Sequence, residues 1–225
     1  MAVSCSLPKL VLGGSRCWLP RRCAAALCCT REMHSLRPAA TPDAPLVHKK
    51  SLIGVRAACE HMWGASGVQA IAESLPADVR ERTAGLRPLP EWIPLGDLIA
   101  WHAAIWNGPA NQDEKLMLDH ARRTIDQGFG RVKRALISIA TAHTLAPRVA
   151  ALWNDEYTTG SLTVASLQPK SVTLVLRDHP YVEDPLMRMV IAEAFRHVLS
   201  LTRTKNVSSI HLVTQGSLKV VLSWS

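Results

Sequence analysis

The stretch Val207-Ser-Ser-Ile-His-Leu-Val-Thr-Gln-Gly-Ser-Leu-Lys-Val-Val-Leu-Ser-Trp-Ser225 decides the fold class. Aliphatic and polar residues alternate on both sides of Gln215-Gly216-Ser217, the period-two pattern of two half-buried strands joined by a tight turn. Two registers compete. A two-residue loop at Gln215-Gly216 pairs Leu212 with Lys219 and sets apolar groups opposite polar ones. A three-residue loop pairs Leu212 with Val220, Ile210 with Leu222 and Ser208 with Trp224. Same-face burial favours the second register, with Gly216 or a neighbour in the left-handed position. The expectation is that Ile210, Leu212, Val220, Leu222 and Trp224 share the core face, while His211, Lys219 and Ser223 point away.

Working back from the hairpin, Met187, Val190, Ile191, Ala194, Val198 and Leu201 form one apolar stripe of a helix from about Asp184 to Thr202. Before it, Leu162 to Leu167 and Val172 to Arg177 alternate around the turn Gln168-Pro-Lys-Ser171, which predicts a second hairpin. The resulting fold class is α+β: an N-terminal helical half followed by a β-β-α-β-β half with an antiparallel four-stranded sheet.

The helical half is read from periodicity. Leu52, Val55, Ala58, Cys59 and Met62 make a stripe that Gly64 and Gly67 interrupt, and a short helix resumes over Val68 to Leu75 until Pro76. Three prolines between Leu86 and Pro94 demand an extended connector. A helix from about Asp97 to Trp106 stops at Asn107-Gly108-Pro109. Asn111 or Asp113 then opens a long helical stretch with Ile125, Phe129, Val132, Leu136, Ile139 and His143 on one face and a kink or break at Gly128 and Gly130. Pro147 suits the first turn of a further helix reaching about Glu156.

Composition bounds the function. Of the 225 residues, 48% are hydrophobic and 20% charged, ordinary for a globular chain. The net charge of +8 is concentrated at the start: residues 1–50 hold eight basic and two acidic side chains, and residues 51–225 hold eighteen and sixteen. The domain expected over 51–225 is therefore nearly neutral and lacks the interleaved basic and aromatic residues of a nucleic-acid groove, so no nucleic-acid partner is expected. Five of six cysteines also precede residue 50, leaving Cys59, and no CxxC pair has a distant His or Cys partner. Residues 1–50 read as a disordered tail for which three origins stay open: a leader carried in by a wrong start ahead of Met33, an Arg-rich targeting peptide, or an export signal. The apolar run Cys23 to Cys29 is too short for a transmembrane segment. A cytoplasmic location is the default expectation.

No phosphate loop, dinucleotide fingerprint, nucleophile elbow, HExxH or EF-hand pattern occurs. Neither a catalytic residue, a metal ligand set nor a cofactor is expected, and the chain reads as a non-enzyme, with a scaffold domain without a ligand or an enzyme of unrecognised type as the alternatives. Glu193 and His197 stand four apart on the last helix, and the plainer account of them is a solvated pair beside Arg196. Trp92, Trp101, Trp106 and Trp153 are many for a chain with two Phe and two Tyr. Core packing accounts for most such residues, and an aromatic ligand pocket is the functional alternative. The ligand-binding candidates are Trp101, Trp106, Trp153 and His197.

From Leu89 onward, the Pro90-Glu-Trp-Ile-Pro94 connector, the helix ending at Leu152-Trp153 before Tyr157 and Gly160, the ββ-helix-ββ half and Trp224 together resemble a myxobacterial paralogous family of uncharacterised proteins. That family is similar in layout to the 4-vinyl reductase domain, the haem–nitric-oxide-binding domain and trafficking-complex subunits. The resemblance implies a hydrophobic pocket between helices and sheet for an unknown small hydrophobic molecule, a protein partner, or both, in a sensing or scaffolding role. Haem-binding members carry a Tyr-x-Ser-x-Arg motif and 4-vinyl reductase members often carry C-terminal cysteines. This chain has neither, so haem and metal are not expected.

Overall fold

The computed structural model describes residues 44–84 and 88–225. The readings of residues 1–43 as a tail, and of Leu86 and Arg87 as connector, lie outside the described residues. Strand β1 (Leu46–His48) already precedes Ser51, where the domain was expected to begin, and it pairs antiparallel with β2 (Trp92–Pro94). Between them run α1 (Lys49–Ser74) and α2 (Ala77–Ala84), and after them α3 (Leu95–Asn107), α4 (Glu114–Gly128), α5 (Arg131–Ile139) and α6 (Ala142–Glu156). The second half is β3 (Ser161–Gln168), β4 (Ser171–Arg177), α7 (Pro185–Ser200), β5 (Ser208–Thr214) and β6 (Ser217–Ser223). The four long strands form one antiparallel sheet in the order β3-β4-β6-β5, as the α+β reading requires.

Local chemistry accounts for the helix ends. The Asp113 carboxylate accepts from the Lys115 and Leu116 amides at the start of α4, and the Asp184 carboxylate accepts from the Met187 amide at the start of α7. In α1 the backbone leaves helical geometry at Gly64 (φ 70°), the expected interruption. Helix α6 starts earlier than Pro147 implies. Thr141 and Thr144 cap each other reciprocally, and the helix carries Pro147 in its interior. The single apolar face read through residues 125–143 is also corrected. The break around Phe129 and Gly130 resets the helical phase, so α5 buries Ile137 and leaves Leu136 and Ile139 each 61% exposed. The side chain of Val132 lies outside the described residues.

The C-terminal hairpin takes the register that same-face burial argued against. Leu212 pairs with Lys219, Ile210 with Val221 and Ser208 with Ser223. Gln215 (φ 47°) and Gly216 (φ 71°) both adopt left-handed geometry, the two-residue turn whose twist matches a hairpin. Turn geometry prevails because β5 is an edge strand and gives little to the core. Its inner face carries Ser209, His211 and Val213, leaving Ile210 (67%) and Leu212 (56%) exposed. The inner face of β6 is as expected: Leu218, Val220 and Leu222 are fully buried opposite Leu176, Leu174 and Val172. In β3 a bulge at Ala165 lets Leu167 rejoin the core side with Leu162 and Val164.

Two apolar cores result. One lies between the sheet and α6 and α7; the other is enclosed by α1, α3 and α4, with Val190 of α7 reaching into it. The register makes a sharp prediction. Leu222→Ala should cost about 2–5 kcal/mol, and Leu212→Ala under about 0.5 kcal/mol, in a denaturant titration. Comparable losses from the two leucines would contradict the two-residue turn.

Candidate functional site

The helices α1, α3, α4, α6 and α7, with Lys133 of α5, line a partly open cavity of ≈ 180 Å³. Its wall is mainly apolar: Val55, Leu98, Ala121, Ile125, Val149 and Leu152 stand with Trp153 and the α7 stripe Val190, Ala194 and Val198. The family resemblance implies a pocket between helices and sheet. It lies instead among the helices, because the sheet's inner leucines and valines are consumed in packing against α6 and α7.

Two polar rungs cross from α4 to α7 beside this cavity. The Arg122 guanidinium donates to Glu193 at 2.8 Å, and Arg196 donates to the same carboxylate at 2.7 and 2.6 Å. One turn further along both helices, His197 Nε2 meets Asp126 Oδ1 at 3.1 Å. Glu193 is only 5% exposed, which corrects its reading as a solvated partner of His197. Burial pushes its carboxyl up, but the two guanidiniums outweigh that and hold it below the usual carboxylate range.

The four candidate residues separate. Trp153 is in the cavity wall, stacked on Tyr157 with ring centroids 4.1 Å apart, and its indole N–H donates to the Thr159 carbonyl at 3.2 Å. Trp101 is fully buried in the helical core, donates to Thr83 Oγ1 at 2.9 Å and lies outside the wall. Trp106 packs against the same core, and His197 belongs to the α4–α7 seam. Sequence reasoning passed over His102, Thr124, Lys50 and Glu156, which stand in the wall with Lys133 and Tyr157. His102 carried a usable signal, since it lies one residue from Trp101 on an apolar helix where a polar side chain has to be accommodated.

His102 sits against a second buried histidine. The His102 and His120 rings are 6.0 Å apart, Trp63 stacks on His120, and His120 Nε2 approaches Cys59 Sγ at 3.4 Å. Burial pushes His102 down to about 3, helped by His120, and pushes His120 down to about 4 against the Val55 carbonyl. Burial raises the Cys59 thiol to about 12, so it is an inert thiol. On the far side of Trp153, burial brings His179 down to about 4. Glu156 is raised by burial, against the nearby Lys133 and Lys50. Among the described residues, no three His, Cys, Asp or Glu side chains gather as a metal-binding group. None of the described helices is long and apolar enough to cross a membrane.

No family model and no curated protein matches the chain. Solved structures do match in fold. An H-NOX protein from S. oneidensis superposes with a TM-score of 0.59 at 8% identity, covering 79% of this chain and 96% of that one. An H-NOX protein from K. algicida gives 0.54 at 11% identity, covering 79% and 96%. An oxygen-binding H-NOX domain related to soluble guanylate cyclases gives 0.53 at 11%, covering 79% and 95%. These likenesses support the haem–nitric-oxide-binding layout and do not carry the myxobacterial resemblance. The residues here do not fit a haem. A cavity of ≈ 180 Å³ is close to the roughly 150 Å³ that accommodates one benzene ring, whereas a porphyrin joins four pyrroles.

The buried histidines give the fold a pH dependence. Their folded-state pKa values lie below the ordinary 6.5, so the folded state binds fewer protons than the unfolded one. That stability is fully present above about pH 6.5 and is lost as pH falls toward 4. Urea titrations at pH 7, 5.5 and 4.5 should show stability decreasing across the series. A flat profile would mean that these imidazoles are not held neutral.

Proposed function

We propose that this domain is a non-catalytic module that binds a small hydrophobic molecule in the cavity among α1, α3, α4, α6 and α7. The observation that carries the reading is a concave apolar wall with a few polar groups, the usual make-up of a ligand site. Small side chains at Ala121 and Ala194 leave room between α4 and α7 where larger ones would fill it. A binding role rather than catalysis suits the titratable groups nearby. Glu193 is held between two guanidiniums, and His102 is a neutral imidazole across the physiological range. The resemblance to sensor-type domains supports the same reading at the level of fold. Trp153 is the sequence candidate this assignment keeps in contact with the ligand; Trp101, Trp106 and His197 act through packing and the seam.

Ethylbenzene supplies a simple probe of the apolar wall. Methyl-resolved NMR titration should give saturable shifts at Val149, Val190 and Val198, and Ala194→Phe should abolish them while preserving the spectrum elsewhere. Shifts that never saturate, or that centre on the exposed Ile210 and Leu212, would contradict a site among the helices.

A further inference from the structure

Two atoms of the cavity wall are anomalous. His102 Nδ1 and Thr124 Oγ1 are both buried and have no hydrogen-bond partner among the described residues. His102 as a whole is only 4% exposed. Buried polar groups nearly always find a partner, and one left without a partner in apolar surroundings is disfavoured. Two such atoms in one wall call for a common explanation.

Their placement is fixed by the fold. His102 projects from α3 and Thr124 from α4, one turn beyond His120, whose ring lies 6.0 Å from that of His102. Gly54 brings α1 against α4 at this point, since a Cβ there would meet the Thr124 carbonyl oxygen at 2.9 Å. The backbone of Thr124 is therefore held in place by the close approach of α1.

The available chemistry is uncharged. A neutral imidazole with its proton on Nε2 presents Nδ1 as an acceptor, and a threonine hydroxyl both donates and accepts. A ligand hydroxyl is complementary to either atom, since it donates to Nδ1 and accepts from Oγ1–H. Resting on the ligand-binding reading above, we infer that the cavity takes an uncharged, ring-sized molecule with a single hydroxyl-type group, held by His102 Nδ1 and Thr124 Oγ1. The volume of ≈ 180 Å³ sets the size of the apolar body. An anionic head group is the rival, because Lys50 and Lys133 also belong to the wall. The Glu156 carboxyl in that wall competes for both lysines, and Lys133 Nζ already lies 4.4 Å from the centre of the Phe129 ring.

Three probes of one shape decide the matter: ethylbenzene, benzyl alcohol and benzoate, titrated into the full chain and into its Thr124→Val and His102→Phe variants. Thr124→Val keeps the shape and removes the hydroxyl. It should weaken benzyl alcohol roughly three- to tenfold, leave ethylbenzene within about twofold, and raise the melting temperature of the ligand-free protein. His102→Phe should discriminate between the two probes in the same direction. Equal losses for both probes in Thr124→Val overturn the inference while leaving the cavity reading intact. Benzoate binding more tightly than benzyl alcohol, with that preference lost in Lys133→Ala, also overturns it in favour of an anionic head group. If neither ethylbenzene nor benzyl alcohol binds the unmodified protein, the cavity reading fails and the inference with it.

Discussion

The carboxylate of Glu193, held between Arg122 of α4 and Arg196 of α7, is the interaction on which the rest of the structure depends. It joins the helical half of the chain to the half that carries the sheet. Because the carboxylate is almost fully buried, removing both guanidiniums would leave an uncompensated charge, a loss of about 3–5 kcal/mol in comparable buried pairs, whereas either one alone still pairs with it. Asp126 and His197 repeat the connection one turn on, so the seam is a ladder of two polar rungs. Arg196 extends it to the Val207 carbonyl just before β5. The long side chains of the ladder space the two helices along one edge, and Ala121 and Ala194 are too short to close the gap beside them.

That arrangement explains the balance of forces within the wall. A dense interior would place a methyl group where Thr124 Oγ1 stands and an aliphatic side chain where His102 stands. Two unpartnered polar atoms instead reduce the stability of the empty protein. Binding sites often show this exchange, because a group that satisfies a ligand is costly without one. The fold shared with H-NOX structures comes without the space their haem needs, which separates the architecture from the chemistry it carries elsewhere.

Much of the architecture was legible in the sequence, for identifiable reasons. The period-two runs before and after α7 are long and regular, so the strands and their antiparallel order followed. The Asp113 and Asp184 caps marked helix starts that the structure retains. The hairpin register was misread because burial was weighed over turn chemistry, although Gln215-Gly216 suits a two-residue turn and β5 is an edge strand. The phase shift at Phe129 and Gly130 was foreseen as a kink, but its effect on which α5 residue is buried depends on three-dimensional packing. The site was less legible. Trp153 was singled out for its type, whereas His102 and Thr124 matter for what they fail to touch, and no spacing rule reports a missing partner. Likewise, nothing in the residue types says that Glu193 faces Arg122, 71 positions away.

A mainly apolar space between α4 and α7 is large enough for a guest. Xenon tests this without any assumption about a natural ligand, because it enters apolar cavities of this size and makes no hydrogen bonds. A crystal of the protein pressurised with xenon should show an ordered atom bounded by Ala121, Val190 and Ala194, with little movement of the surrounding helices. A cavity that stays empty under pressure, or that has closed because α4 and α7 move together, would contradict the account.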